Sequence, residues 1–184
     1  MHYGEYLARQ VAAIKDIQED QLEVLAQLLR IITSKGGRIF LVGNGGSGSN
    51  ASHAACDFAK GVFQETDIPF ETHSFNDAVV AFSAWINDFD PLDVYVNLAR
   101  SQVKPGDLII MISGSGDSEN LIRLGKYLLQ KKIHAFSLLG SGGGKIGEMP
   151  ISSIIVSSSD MQIIENTHLY IIHWVYKYLS GQSI

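Results

Sequence analysis

Cysteine is almost absent from the sequence, and the one that occurs, Cys56, cannot form an intrachain disulfide. A chain without disulfides fits a reducing compartment. Hydrophobic runs are short as well, since the clearest of them, LIIMI at 108–112, cannot span a bilayer. The first ten residues lack the basic and apolar regions of a signal peptide. These absences predict a soluble, cytoplasmic protein that has no membrane partner.

Positive charge is also scarce. The sequence has 14 Lys and Arg against 19 Asp and Glu, a formal net charge of −5, and no block of basic residues stands out. A broad nucleic-acid surface is therefore not expected. An anionic substrate would have to be held by local hydrogen-bond donors, because the general field of the protein does not attract it.

Strand-like and helix-like patterns alternate along the chain. Its 184 residues, 46% of them hydrophobic, suffice for one domain with a full core. Helical spacing predicts an N-terminal helical segment over about 1–34, as two helices or one long helix. Beyond it we predict strands at 38–42, 71–75, 108–112, 134–139 and 153–156, and helices at 51–60, 77–86, 92–103, 119–131 and 161–179. The fold class is therefore α/β: one domain over 1–184 with a doubly wound, mainly parallel five-stranded sheet flanked by helices.

Two loops rich in glycine and serine follow predicted strands and precede predicted helices. The first is GNGGSG at 43–48, and the second is SGSGDS at 113–118. Free backbone N–H groups and the helix dipole attract an anion at such a point. Glycine lets the backbone approach the ligand, and serine adds small hydroxyl donors. The three hydroxyls of the second loop suit a phosphate monoester, although serine and glycine also form ordinary turns.

The first loop also matches G-x-G-x-x-G, the dinucleotide-binding fingerprint. That function requires an acidic residue at the end of the second strand, where this sequence has His73-Ser74-Phe75-Asn76. Neither loop contains a lysine, which excludes a Walker-type P-loop. A phosphate-binding function is therefore favoured over a nucleotide-binding dehydrogenase.

Five ionisable residues lie within otherwise apolar helical segments. His53 and Asp57 are four residues apart, and Glu165, His168 and His173 interrupt the last helix. Charges among apolar neighbours are costly unless they are paired, so the group indicates a metal site or a proton-transfer site. Two alternatives involve no function: an ordinary surface pair of His53 and Asp57, and a core histidine of the last helix whose hydrogen bonds are made within the protein.

Glu165 and His173 are eight residues apart, about 12 Å along a straight helix. Two short side chains do not easily converge over that span. Either Glu165 lies where the helix is just starting, or the two residues act in different sites built across a subunit interface. The second reading favours an oligomer.

Several ordered motifs resemble one known family over nearly the whole chain. They are GNGGSGSNASHAACDF at 43–58, IND at 86–88, PGDLIIMISGSGDSENLI at 105–122, GGGKIGE at 142–148 and IENTHLYIIHWV at 164–175. With these motifs the chain resembles the sugar isomerase (SIS) domain family, and within it the phosphoheptose isomerases. The resemblance implies a flavodoxin-like fold and a cytoplasmic homotetramer with active sites between subunits. It also implies an activity that converts sedoheptulose 7-phosphate to D-glycero-D-manno-heptose 7-phosphate for lipopolysaccharide or another surface glycan.

The resemblance also implies roles for individual residues. The matching substrate-binding positions are Asn44, Gly45, Ser47, Asp88, Ser113, Ser115, Ser118 and Glu165. The matching positions for a divalent metal, expected to be one zinc ion per subunit, are His53, Asp57, Glu165 and His173. Of these, Asp57 and His173 match the acid–base pair.

The sequence departs from the family at four of its positions. Asp57 and Glu165 stand where Glu and Gln are usual, so one carboxylate is shorter and a second acid is added. Gly61 replaces a common Arg, and Gly114 replaces a frequent Thr. An alternative function is a non-catalytic SIS-fold regulator that binds a sugar phosphate or a replication initiator. Such relatives tend to lose the acid–base residues, so the presence of Asp57 and His173 favours the enzyme.

Overall fold

The computed structural model describes residues 2–181, so Met1 and residues 182–184 of the predicted domain lie outside it. The predicted N-terminal helical segment consists of two helices, α1 (Tyr3–Lys15) and α2 (Glu19–Ser34). The following elements are β1 (Ile39–Gly43), α3 (Gly45–Cys56), a π-helical turn (Asp57–Val62), α4 (Phe63–Thr66), β2 (Thr72–Ser74), α5 (Val79–Asp88) and α6 (Val94–Gln102). The remaining elements are β3 (Leu108–Ser113), α7 (Glu119–Lys131), β4 (His134–Leu139), α8 (Gly144–Gly147), β5 (Ser152–Ile155) and α9 (Met161–Leu179).

The five strands form one sheet in the order β2-β1-β3-β4-β5, and every neighbouring pair is parallel. Ile39 of β1 is aligned with Leu108 of β3, and Leu108 is aligned with His134 of β4. This is the flavodoxin-like order, in which the chain changes direction between β1 and β3. The predicted fold class is confirmed.

Each face of the sheet carries its own hydrophobic core. Side chains alternate along a strand, so Ile39 and Leu41 face α1, α2, α3 and α9, whereas Phe40 and Val42 face α6 and α7. Burying one such side chain contributes about 1.5–3 kcal/mol. The apolar strands that the sequence predicts are therefore buried on both faces, as parallel strands in α/β proteins are.

The start of α9 is fixed by a cap. The Asp160 carboxylate accepts the backbone N–H groups of Gln162 and Ile163, at 3.1 and 3.4 Å. These two donors would have no partner inside the helix. The cap places the first turn of α9 at the edge of the sheet where the strands end.

The first glycine-rich segment differs from its prediction. The helix that was expected to begin at residue 51 begins at Gly45, so most of the predicted loop is helical. Ser47 is buried, and a Cβ on Gly43 would lie 2.6 Å from its carbonyl carbon. The glycine therefore allows the first turn of α3 to pack directly against the end of β1.

No helix within residues 2–181 has both the length and the apolar character that a membrane crossing requires.

Candidate functional site

A cavity of about 290 Å³ lies where β1 and β3 end side by side. Ligands of open parallel sheets bind at such a point, because the connections there leave in opposite directions. The lining residues are Asn44, Gly45, Gly46, Ser47, Ile112, Ser113, Gly114, Ser115, Ser118, Met161 and Glu165. The structure thus brings together seven of the eight predicted substrate-binding residues, all but Asp88.

The second loop, residues 113–118, forms one wall of this cavity. The Ser113 hydroxyl oxygen accepts the N–H of Gly116 at 3.0 Å, and the Ser115 hydroxyl oxygen accepts the N–H of Asp117 at 3.2 Å. Each oxygen is engaged as an acceptor, so its hydrogen is left to donate. Two oriented hydroxyls beside the N-terminus of α7 suit the oxygens of a phosphate monoester.

Among residues 2–181, no Lys or Arg lines the cavity. An anion bound there would be held by hydroxyls, backbone N–H groups and the dipoles of α3 and α7. That local donors hold an anionic substrate stays a prediction, and this lining is the place where it would apply.

Glu165 lies on the α9 side of the same cavity. Its carboxylate occupies the space that a Cβ on Gly46 would need, so only glycine fits there without displacing Glu165. In the described part of the chain, the carboxylate makes no hydrogen bond or ion pair. The backbone carbonyl of Glu165 accepts the Asn50 side chain at 2.9 Å, which joins α9 to α3. The cavity therefore has hydrogen-bond donors on the side of the serine loop and an acceptor, the Glu165 carboxylate, on the side of α9. A phosphorylated polyol needs both, because its phosphoryl oxygens accept hydrogen bonds and its hydroxyls donate them.

Three ionisable side chains meet further along α3 and α9. His53 Nε2 lies 2.8 Å from His173 Nε2 and 3.2 Å from Asp57 Oδ2, and His173 Nε2 lies 3.6 Å from the same oxygen. Among the described residues, these three form the group whose ligand atoms all lie within 4.8 Å of one another. Two imidazole nitrogens and one carboxylate oxygen are a donor set that suits Zn²⁺ with an open coordination position. The residues present therefore fit a divalent metal.

Two predicted site residues lie apart from this group. Glu165 lies in the first cavity, about 12 Å along α9 from His173. Asp88 ends α5, is exposed, and accepts the Asn87 side chain at 2.9 Å. A single chain thus places Glu165 with the serine loop and leaves Asp88 outside the cavity lining.

The π-helical turn begins at Asp57, directly after α3. Such turns are rare and frequently mark functional sites. Its Gly61 lies under the ring of Tyr176, where a Cβ would come within 2.6 Å of Cε2. Tyr176 thus occupies the space beside residue 61.

His168 does not belong to the exposed group. It is fully buried, and its Nε2 lies 3.0 Å from the carbonyl oxygen of Leu139, to which it donates. Burial lowers the pKa of His168 to about 4. Its Nδ1 finds no hydrogen-bond partner among the described residues. This histidine joins α9 to the end of β4.

Several residues of the site have no clear signal in the sequence. Ile112 and Met161 line the cavity, and Met161 fills the space that a side chain at Gly114 would take. Tyr95 and Asn120 contact the Asn44 side chain. A tyrosine and an asparagine in helical patterns give no indication of partners more than 50 residues away in sequence.

Comparison with known proteins supports the relationship seen in the motifs. A model of the SIS domain family matches residues 2–140. The phosphoheptose isomerase of Mycobacterium bovis is 30% identical over 139 residues, which are 75% of this chain and 70% of that protein. The phosphoheptose isomerase of Helicobacter pylori is 29% identical over 171 residues, 92% of this chain and 88% of that protein.

A solved structure resembles the whole fold. The phosphoheptose isomerase from Neisseria gonorrhoeae superposes with a TM-score of 0.88 over 97% of this chain and 96% of that one, at 24% sequence identity. At this identity the likeness establishes the fold, including the N-terminal helices.

Proposed function

The chain belongs to the SIS domain family and, within it, to the phosphoheptose isomerases, and we propose that its substrate pair is sedoheptulose 7-phosphate and D-glycero-D-manno-heptose 7-phosphate. It is an isomerase of phosphorylated sugars, as its relatives are. One observation carries the proposal: the starts of α3 and α9 border the serine-lined cavity, and the His–Asp–His group lies further along the same two helices.

The reaction moves a carbonyl between neighbouring carbons. The open-chain ketose loses a proton from C1, forms an enediol, and regains a proton at C2 to become the aldose. Asp57 and His173 can each hold or release a proton, and Asp57 Oδ2 lies 3.6 Å from His173 Nε2. One of them can therefore act as the base and the other as the acid. Ser113 and Ser115 hold the phosphoryl group, and Glu165 accepts hydroxyl groups of the sugar.

The spacing of the two regions suits a long sugar phosphate. Gly46 lines the cavity, and His53 follows it by seven residues on the same helix, about 10 Å along the axis. A substrate anchored by its phosphoryl group must therefore extend along α3 to bring its first carbons to the His–Asp–His group. This favours a heptose phosphate over a shorter sugar.

We propose that His53, Asp57 and His173 hold one divalent metal ion per subunit, zinc by its donor preference. Bound there, the ion supplies Lewis-acid polarisation of the oxygens on the reacting carbons. Glu165, which lies in the neighbouring cavity, acts on the sugar hydroxyls in this arrangement.

We also propose a homotetramer whose active sites lie between subunits, in the cytoplasm and on a route to a heptose-containing surface glycan. Asp88 ends α5, and Val79, Val80 and Phe89 of that region are exposed and apolar. A second copy packed on this surface would place an Asp88 at the interface. That arrangement would supply the one predicted substrate-binding residue that a single chain leaves outside the cavity.

Solvent exchange during turnover tests the proposed reaction. Purified protein, supplied with zinc, is mixed with sedoheptulose 7-phosphate in deuterated water and followed by NMR. We expect deuterium at C1 of the ketose and the appearance of an aldoheptose 7-phosphate. Folded protein that exchanges neither this ketose nor a shorter ketose phosphate would instead be the non-catalytic sugar-phosphate regulator, which the comparisons do not favour.

A further inference from the structure

Asn44 is the N-cap residue of α3, yet its side chain does not cap the helix. An asparagine at this position usually accepts an N–H of the first turn through Oδ1. Here Oδ1 lies 3.0 Å from Asn120 Nδ2 and 3.0 Å from the Tyr95 hydroxyl. Within residues 2–181, the N–H groups in the first turn of α3, which lie at the cavity, therefore have no side-chain acceptor.

The orientation of the Asn44 amide is determined by its neighbours. Asn44 Nδ2 donates to Asn120 Oδ1 at 3.0 Å, so the two amides form a reciprocal pair. The N–H of Leu121 also donates to Asn120 Oδ1, at 3.0 Å. Turning Asn120 over would set its NH₂ group against the Leu121 N–H, and turning Asn44 alone would bring two donors together. Both amides therefore have one favoured orientation.

Tyr95 fixes the same amide from the core. Its side chain is 1% exposed, and its hydroxyl lies 2.7 Å from the Gly43 carbonyl oxygen. The Gly43 carbonyl oxygen can accept both this hydroxyl and Asn76 Nδ2, which lies 2.8 Å away. The single hydroxyl hydrogen of Tyr95 is therefore shared between the Gly43 carbonyl oxygen and Asn44 Oδ1. Burial also raises the pKa of Tyr95, so the hydroxyl keeps its proton at neutral pH.

One hydrogen of the Asn44 amide remains for a ligand. The NH₂ group has two hydrogens, and Asn120 accepts one of them. In the described residues nothing accepts the second, and Asn44 lines the cavity together with the serine loop. At this edge of the cavity the Asn44 N–H therefore favours a ligand atom that accepts a hydrogen bond over one that donates it.

We propose that Tyr95 and Asn120 are positioning residues that hold Asn44 as a hydrogen-bond donor to an oxygen at the phosphorylated end of the substrate. This rests on the proposed function of the same cavity. Asn44 precedes His53 by nine residues, about 13 Å along α3, so its N–H serves binding and lies far from the reacting carbons. Loss of either positioning residue therefore weakens ground-state binding.

Steady-state kinetics of the zinc-loaded protein with sedoheptulose 7-phosphate tests this role. Tyr95→Phe and Asn120→Ala should each raise KM about three- to tenfold and change kcat less than about twofold. Tyr127→Phe is the matched control, because the Tyr127 hydroxyl has no hydrogen bond within the described residues, and it should leave KM unchanged. A fall in kcat with KM unchanged in either positioning variant would overturn the proposal.

A double-mutant cycle separates positioning from a general loss of structure. In an Asn44→Ala background, which itself raises KM, adding Tyr95→Phe should raise KM no further, whereas a merely structural role would add its full effect. Asn44→Asp should be worse than Asn44→Ala, because it exchanges the donor for a negative acceptor. Additive effects, or an Asn44→Ala protein with unchanged KM, would contradict the proposal.

Calorimetric titration with inorganic phosphate tests the positioning role without requiring catalytic turnover. If the wild-type protein binds phosphate but converts no heptose, the proposed function fails and the Tyr95 and Asn44 variants can still be compared by affinity. Equal phosphate affinity in the wild-type, Tyr95→Phe and Asn44→Ala proteins would then overturn the positioning role by itself.

Discussion

At the scale of single residues, the ionisable groups of α9 divide by environment. His173 is 49% exposed at its side chain and meets His53 and Asp57, whereas His168 is fully buried and bonded to a carbonyl. The sequence shows both as histidines in an apolar helix and does not separate them. The difference comes from which helix face meets the sheet, and that is set by tertiary packing.

His168 should make the protein acid-sensitive. Its folded pKa of about 4 lies below the ordinary value near 6.5, so the unfolded chain binds the proton more tightly between these pH values. The neutral, buried His168 therefore contributes about 3 kcal/mol to the free energy of unfolding above pH 6.5. This contribution is lost progressively as the pH falls from 6.5 towards 4. Urea unfolding at several pH values measures this.

His168→Gln provides the comparison, since the amide can still donate to the Leu139 carbonyl but does not titrate. We expect a flatter dependence of unfolding free energy on pH between 6.5 and 4 in this variant. Identical slopes in the two proteins would show that other groups cause the acid sensitivity.

At the scale of elements, the end of β1 and the start of α3 form one close-packed unit. Gly43 approaches the backbone of Ser47, and the π-helical turn after α3 continues the helix past Asp57. This packing places the Gly46 backbone against Glu165 at one end of α3 and His53 beside His173 at the other. The site thus depends on the fit of α3 between the sheet and α9.

Gly43→Ala should disturb this unit. The added Cβ would lie 2.6 Å from the Ser47 carbonyl carbon and 2.9 Å from the Gly48 nitrogen, and backbone atoms cannot move aside cheaply. We expect a loss of about 1–3 kcal/mol in unfolding free energy together with weaker phosphate binding. Gly4→Ala is the control, because nothing lies within 4 Å of the added Cβ and alanine favours α1. Equal stability of the two variants would contradict the close-packing account.

Much of the fold follows from the sequence, because apolar strands and amphipathic helices have distinct periods. The predicted helices at 119–131 and 161–179 and the strand at 134–139 coincide with α7, α9 and β4. The predicted start of α3 at residue 51 is wrong, because the helix begins at Gly45. A GNGGSG run permits either a loop or a helix turn packed closely on a strand, and the contact with β1 determines which of the two forms. The serine loop was predictable from its chemistry, whereas the contacts of Tyr95, Asn120 and Met161 depend on long-range packing.

At the scale of the whole molecule, exposed apolar side chains occur on two helices, α1 and α5, that lie far apart in the sequence. On α1, Tyr3, Leu7 and Val11 recur at helical spacing, and on α5 the exposed side chains include Val79 and Val80. Contiguous apolar patches of this kind mark protein interfaces. Two different patches are what a symmetric tetramer with two kinds of interface requires.

The proposed tetramer is tested by light scattering during size-exclusion chromatography. We expect Leu7→Asp and Val80→Asp each to reduce the tetramer to a smaller oligomer, and the double variant to be monomeric. Lys126→Asp, an exposed change of charge on α7, should leave the tetramer intact. A wild-type protein that runs as a monomer at all concentrations would contradict a site shared between subunits.

The central claim is that the serine-lined cavity binds the phosphoryl group while the His–Asp–His group moves the proton. The most direct measurement compares His173→Ala with Ser115→Ala, by deuterium exchange at C1 of sedoheptulose 7-phosphate and by calorimetric binding of the same compound. His173→Ala should lose exchange and retain binding, whereas Ser115→Ala should bind more weakly and still exchange at saturating substrate. If both variants lost exchange and binding equally, the cavity and the His–Asp–His group would not have separate roles in binding and proton transfer, and the central claim would be contradicted.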